Sequence, residues 1–393
     1  MIGVLIVNKM ILFISKYYNN RSGAAQSGLD VVRSISKSYN KISLLYIKSY
    51  NKKLIKECDS LKNLSIEKSP IFQPRIGKNI SSISKYLESI LFDKYRIKKI
   101  KKLNSSIVIA NSLSSQIIAQ KICQQLNLKS CIIIRESPQF YSNPKITIKR
   151  ILFFDHIIFV SKNVMEDWSQ YSKKLKSKST YIPNTIYNEN IPKILKQKKI
   201  HYRKKLGFKE DRFIISIIGK FMNRKNQQLI FNNIKKLKSI NKKIQFIFIG
   251  KYFNSYGLKM KKKLSKNDGN FIHMIGHKKN ILEYIYGSDC LLVTSKSEAS
   301  PRVIYESMIL KTPVIASEID GIPELVQHNK TGLLFSNNNI EEMCNQINVL
   351  INSGISNRLT DEASKLYNKK FSNQNHAKQY KEFLSEIITR NEI

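Results

Sequence analysis

Glycine is scarce, at 14 of 393 residues, and none of it is arranged as Gly-x-Gly-x-x-Gly opening a helix or as a P-loop. Dinucleotide-dependent oxidoreductases and P-loop NTPases therefore lose their main sequence support. Cysteine is limited to Cys58, Cys123, Cys131, Cys290 and Cys344, an odd number without paired metal-ligand spacing, which fits a reduced, cytosolic compartment. The six histidines show no metal spacing, and no Asp-x-Asp closes a strand to hold a divalent ion. No Ser-His-Asp or Cys-His constellation stands out. No apolar run is long enough to span a bilayer. The run from Met1 stops at Asn8 without a small-residue cleavage site, and Met10 to Ser15 reads as a buried strand, so either Met1 or Met10 serves as the start.

Acidic residues are also few: 28 Asp and Glu face 68 Lys and Arg, a formal net charge of +40. That balance favours a polyanionic surface, nucleic acid or anionic membrane. The chain is equally crowded with Lys, Ile and Asn, a bias that an AT-rich genome imposes without selection for binding, so composition chooses neither. Nucleic-acid binding predicts aromatics interleaved with basic runs, yet Lys193 to Lys205 and Lys259 to Lys266 carry only His201, Tyr202 and Met260 among them. No nucleic-acid partner is expected. In Lys85 to Lys102, Leu87, Ile90, Leu91, Tyr95, Ile97 and Ile100 alternate with basic residues. Such a segment suits a helix lying on an anionic membrane, and equally a sheet-covering helix with a solvated basic face.

What is present is a two-domain α/β pattern. At 393 residues and 42% apolar, the chain exceeds one core and folds as two domains of roughly 150 to 200 residues. Apolar strands are expected at Met10 to Ser15, Ile42 to Ile47, Ile107 to Ala110, Ser130 to Ile134, His156 to Val160, Phe213 to Ile218, Gln245 to Ile249, Cys290 to Thr294 and Pro313 to Ala316. Helical stretches such as Gly28 to Ser38, Ser114 to Leu126 and Asn226 to Ile240 lie between them, the signature of parallel sheets covered on both faces. Pro183 and Pro192 bracket a polar segment, and the basic, weakly periodic Lys193 to Lys205 reads as an interdomain connection, which places the break near residue 190. Asn373 to Ile388 reads as a final amphipathic helix.

The chemistry concentrates in Ser295-Lys296-Ser297-Glu298-Ala299-Ser300-Pro301-Arg302-Val303-Ile304-Tyr305-Glu306, directly after a strand, where open parallel sheets bind ligands. Ser300 as N-cap and Pro301 as first helical residue predict a helix to about Leu310. Glu298 then lies in the loop, and Glu306 lies roughly 8 Å along the helix axis. Each carboxylate can accept a pair of sugar hydroxyls, and the backbone N–H groups around Ala299 and Ser300 suit an anion.

In that context the run from Phe213 to Phe335 resembles the donor-binding domain of the family 4 retaining glycosyltransferases. Their Glu, seven residues, Glu pattern is matched by Glu298 and Glu306. Gly219-Lys220 with Arg224-Lys225, Gly250, Ile275-Gly276-His277, Tyr286-Gly287-Ser288-Asp289, Lys311 to Ala316, Gly321-Ile322-Pro323-Glu324 and Thr331 to Leu334 follow in the family's order. The amino-terminal half is similar more loosely, through Ser22-Gly23-Ala24-Ala25, Val160-Ser161 and Ile182-Pro183-Asn184-Thr185.

The resemblance implies the GT-B architecture: two Rossmann-like domains facing across a cleft, 1–190 on the acceptor side and 191–372 holding the donor, with the 373–393 helix returning to the first domain. It implies a nucleotide diphosphate hexose donor as substrate with no bound cofactor, and metal-independent transfer with retention to a saccharide or lipid-linked saccharide. Cell-surface polysaccharide or lipopolysaccharide synthesis in the cytoplasm, peripheral at the inner membrane face, is the matching setting. Glu306 would hold the ribose, Glu298 the transferred sugar, Lys220 and Lys225 the diphosphate, with Arg224 competing for the role of Lys225. Gly23, Ala299 and Ser300 would line the donor. Two departures matter. Lys220 stands where the family usually has Arg, which keeps charge but loses the planar fork. The acceptor-side loop reads Ile134-Arg135-Glu136-Ser137 where many members carry His, leaving Arg135 or Glu136 to face the donor sugar.

Overall fold

The computed structural model describes residues 10–18, 23–39, 41–50, 64–67, 97–98, 100–265 and 268–389. Cys58, Ser22 and most of Lys85 to Lys102, with the membrane-helix expectation that rests on it, lie outside the described residues. The chain divides into two compact units, Met1–Thr185 with Asn373–Ile393, and Ile186–Ser372.

The first unit holds a seven-stranded parallel sheet of β1 (Met10–Tyr18), β2 (Lys41–Tyr50), β3 (Leu64–Glu67), β4 (Ser105–Ala110), β5 (Lys129–Ile134), β6 (His156–Phe159) and β7 (Ser179–Tyr181), in the order β3-β2-β1-β4-β5-β6-β7. The second holds six parallel strands, β8 (Phe213–Ile218), β9 (Ile244–Ile249), β10 (Ile272–Gly276), β11 (Cys290–Val293), β12 (Val314–Glu318) and β13 (Leu333–Ser336), in the order β10-β9-β8-β11-β12-β13. The strand order reverses between β1 and β4 in one sheet and between β8 and β11 in the other. Those are the places where open parallel sheets leave a crevice at their carboxyl ends.

Burial on both faces explains the uninterrupted apolar runs. In the second sheet, Ile214, Ile218, Ile249, Leu291, Val293 and Val314 enter one core. Their neighbours Ile215, Ile217, Phe248, Leu292 and Ile315 enter the other, with the strand period of two. The final helix, Asn373–Thr389, packs in the first unit: Ser34 Oγ meets His376 Nδ1 at 2.6 Å, and Thr185 Oγ1 donates to Asn373 Oδ1 at 2.8 Å.

Several local expectations are corrected. The stretch Asn226 to Ile240 is two helices, Gln228–Phe231 and Ile234–Ile240, because the Asn233 amide donates to the Leu229 carbonyl at 2.7 Å and competes with the backbone ladder. Lys193 to Lys205 is no loose connection. Helices Asn190–Leu195 and Lys199–Lys205 belong to the second unit, where buried Arg203 bonds Asp289 at 2.7 Å and the Arg212 carbonyl at 2.7 Å. The helix after β11 begins at Arg302, one residue late, with Pro301 in the cap position, because Ser300 Oγ is engaged with the Tyr305 hydroxyl at 2.7 Å. Strands β3, β7, β10 and β13 were not expected, and all four are sheet edges. Among the described cysteines, Cys123, Cys131, Cys290 and Cys344 are free and buried.

Candidate active site

Two loops meet at the crevice of the second sheet. The first leaves β8 through Gly219 and Lys220 and reaches the single turn Asn223–Lys225, closed by Asn226 in the left-handed region at φ 53°. It lies hard against the end of β9: a Cβ on Gly250 would stand 1.9 Å from the Gly219 carbonyl oxygen, so only glycine fits there. The second loop leaves β11 through Thr294 to Ser300. Thr294 Oγ1 donates to the Lys225 carbonyl at 2.9 Å, Lys296 N to the Arg224 carbonyl at 2.7 Å, and Arg224 Nη1 to the Ser297 carbonyl at 2.8 Å.

Glu298 sits where the loops join. Arg224 Nη1 lies 2.9 Å from its Oε1, and Lys225 Nζ pairs with the same oxygen. Burial pushes this carboxyl upward, but the charges of Lys225 and Arg224 outweigh it and hold the group below the usual carboxylate range. Its backbone is fixed from β12: Asp320 Oδ2 accepts from Glu298 N at 2.8 Å and from Ser297 Oγ at 2.6 Å, and Ser317 Oγ donates to the Ser295 carbonyl at 2.6 Å. Asp320 has φ 42°, in the left-handed region that aspartate and asparagine enter more readily than other residues with a side chain. Sequence reasoning missed Asp320; its place just before Gly321 was the available signal.

The other candidates in this unit differ in burial. Ala299 is buried beside Glu298, and Glu306 is buried in the helix Arg302–Ile309. Lys220 is exposed, with no ion-pair partner among the described residues, while its carbonyl accepts from Gln227 Nε2 at 3.1 Å. Four cations, Lys220, Arg224, Lys225 and Lys296, therefore stand in this pair of loops against the single carboxylate of Glu298, an arrangement with charge to spare for an anion.

In the first unit, Gly23 opens the helix Gly23–Ile35. Arg135, after β5, is committed within its unit. Its Nη1 donates to Asn184 Oδ1 at 2.6 Å, its Nη2 to Asn111 Oδ1 at 3.1 Å, and its Nε to the Asn111 carbonyl at 3.2 Å. Asn111, after β4, in turn donates to Ser15 Oγ at 3.1 Å and the Ala24 carbonyl at 3.1 Å. Glu136 accepts from the Tyr141 hydroxyl at 3.4 Å, and its carbonyl accepts from Trp168 Nε1 at 3.0 Å. Asn111 is the organising residue here that the sequence reading missed. Among the described residues no group of three His, Cys, Asp or Glu is placed to hold a metal ion, and no helix is long and apolar enough to cross a membrane.

The sequence pattern of the family described as glycosyl transferases group 1 matches residues 185–367, the span that carries both loops. The matched span is 183 of the chain's 393 residues, a little under half of it. The chain is 26% identical over 221 residues to an uncharacterized glycosyltransferase of Methanocaldococcus jannaschii, covering 56% of each chain. It is 27% identical over 254 residues to the capsular polysaccharide biosynthesis glycosyltransferase CapH of Staphylococcus aureus, covering 60% of this chain and 65% of that protein. The chain thus spans less than two thirds of either relative's length. In fold it is similar to HepE of Anabaena, solved with UDP and glucose, at 18% identity and a TM-score of 0.78 over 95% of this chain and 99% of that one. The matched span carries the charged loops at the sheet's switch point, and in fold the chain is similar to the GT-B protein HepE.

Proposed function

We propose that this chain is a retaining, metal-independent hexosyltransferase that moves a sugar from a nucleotide diphosphate donor to a saccharide or lipid-linked saccharide in cell-surface polysaccharide synthesis. The observation that carries the reading is the meeting of Arg224 and Lys225 with Glu298 across the switch point of the second sheet. The diphosphate of the donor takes the place of solvent beside Lys220, Arg224 and Lys225, where fixed cations stabilise the charge that grows on the leaving group. In this reading those cations supply what a divalent ion would otherwise provide. Glu298 accepts hydroxyls of the transferred sugar, and Glu306 accepts those of the ribose. The acceptor oxygen attacks the anomeric carbon on the face the phosphate leaves, so configuration is retained without a protein nucleophile. The UDP and glucose bound to HepE, and the capsular polysaccharide role in the name of CapH, support a sugar nucleotide and a polysaccharide setting.

Thermal stabilisation by UDP, GDP, CMP and dTDP tests this directly, since a ligand of the folded state raises its melting temperature. One nucleotide is expected to shift the protein and to lose its effect in Glu306→Ala. Transfer assayed with a chelator present is expected to continue. No shift with any nucleotide, or sugar isomerisation without transfer, would overturn the reading.

A further inference from the structure

A second surface, in the first unit, is built for contact. Helix Pro144–Ile151 buries Thr147, Ile148 and Ile151 and turns Lys145, Ile146, Lys149 and Arg150 outward. Ile146 is 50% exposed, next to Lys145 and one helical turn before the exposed Lys149 and Arg150. Phe140, in the turn just before this helix, is 51% exposed, and Tyr171 is 40% exposed. Their rings belong to one ladder: Phe140 meets Tyr141 at 5.3 Å, Tyr141 meets Trp168 at 5.8 Å, and Trp168 meets Tyr171 at 5.9 Å between centroids. At the helix's other end, Lys178 Nζ caps the carbonyls of Leu152 and Phe154 at 3.1 and 3.0 Å. That contact ties down the turn Lys173–Lys178, whose Lys173, Lys174 and Lys176 are exposed.

The charge is one-sided. Between Pro138 and Lys178 there are eight Lys and Arg against three Asp and Glu, and one of those acids, Asp155, is taken by the Ser130 hydroxyl and amide. Large apolar side chains raised among cations describe a surface for a layer that is anionic outside and apolar beneath. Nucleic acid would find stacking faces in Phe140 and Tyr171, but the branched alkyl side chain of Ile146 offers none and suits acyl chains instead. The geometry points to docking of the first unit on an anionic lipid bilayer through the face of Phe140, Ile146 and Tyr171.

This face is wired to the loop assigned above to the sugar and acceptor side. Tyr141 bonds the Glu136 carboxylate and Trp168 bonds the Glu136 carbonyl, so the anchoring ladder and that loop share two hydrogen bonds. A lipid-linked acceptor would therefore meet the enzyme beside Glu136. That last step rests on the proposed function; the docking does not.

Co-sedimentation of the full chain with vesicles of equal parts phosphatidylglycerol and phosphatidylethanolamine, against phosphatidylcholine alone, tests the docking. The parent is expected to bind the anionic vesicles and to lose them at high salt. Reversing Lys145 and Lys149 to Glu is expected to weaken partitioning by about thirtyfold or more, since each cation near such a surface contributes roughly fivefold. Phe140→Ser with Ile146→Ser is expected to weaken it by roughly tenfold, with melting temperature unchanged in both variants. Binding equal to the parent's in both variants would overturn the proposal. So would binding lost only when Lys85, Lys94 and Lys98 are reversed, or a single-stranded RNA that displaces the vesicles. Vesicle binding through this face in a chain that no nucleotide stabilises would support the docking and sink the transferase reading instead.

Discussion

The two sheets share a strand order around their switch points, yet they furnish them with opposite chemistry. In the first unit, a cation after β5, Arg135, is held by neutral amides, Asn111 after β4 and Asn184. In the second, the equivalent place after β12 is an anion, Asp320, holding backbone and hydroxyl donors of the β11 loop, while the cations Arg224 and Lys225 are held by a carboxylate, Glu298. Neutral partners have fixed geometry and nothing to gain by exchange, so the first cluster acts as a rivet. Ion pairs can be traded for other ion pairs, so under the proposed function the second cluster exchanges the carboxylate of Glu298 for the donor's diphosphate.

The sharpest way to break that contrast is Glu298→Gln, which leaves shape and removes charge. Sugar transfer measured by donor consumption is expected to fall on the order of a hundredfold to a thousandfold. A fall below tenfold would make Glu298 a mere spacer. Conversely, Arg135→Ala should cost stability. Urea unfolding is expected to show a loss of about 3 kcal/mol, because the oxygens of Asn111 and Asn184 are left without their donor. An unchanged midpoint would remove the rivet.

Acid sharpens the comparison further. His376 is buried against Ser34, and burial, reinforced by the charge of Arg135, lowers its pKa from 6.5 to about 3. The folded state thus binds this proton less readily than the unfolded chain. The stability it contributes is complete above the unfolded value and is lost as pH falls from about 6.5 toward 3, amounting to about 2 kcal/mol by pH 5. Glu298 is depressed as well, so its contribution disappears only at lower pH, as the carboxyl protonates. A pH titration of melting temperature should show the His376 step first, and His376→Asn should abolish it. A smaller effect is expected from Asp320→Ala: kcat should drop by about tenfold with a modest change in donor KM, as a residue that positions Glu298 would give. Asp320→Asn, which keeps an acceptor oxygen and tolerates positive φ, should recover most of that loss; failure to recover would argue that the charge itself matters.

Much of the fold was legible. Phe213 to Ile218 was read at its observed bounds, and the other central strands within a few residues, because a strand buried on both faces carries its whole signal in its own apolar run. The edges β3, β7, β10 and β13 escaped for the complementary reason. With only one strand neighbour, they are short, and β7 and most of β10 are only half-buried. At the site, Glu298, Lys225 and Arg224 could be singled out, but not that they pair; Asp320 carried only its place before Gly321 as a signal, and Asn111 carried none.

The sequence alone determined the alternation of apolar strands and amphipathic helices, the excess of positive charge, and the carboxylates after β11, since each is written in local spacing or composition. Tertiary structure decided which strands form edges, that Arg203 becomes a buried tie rather than a linker charge, and that Arg224 and Ser297, 73 residues apart, lie in one loop cluster. Hydrogen bonds and ion pairs of a few ångströms link groups that no sequence period relates, and only the folded sheet brings the ends of β8, β11 and β12 side by side.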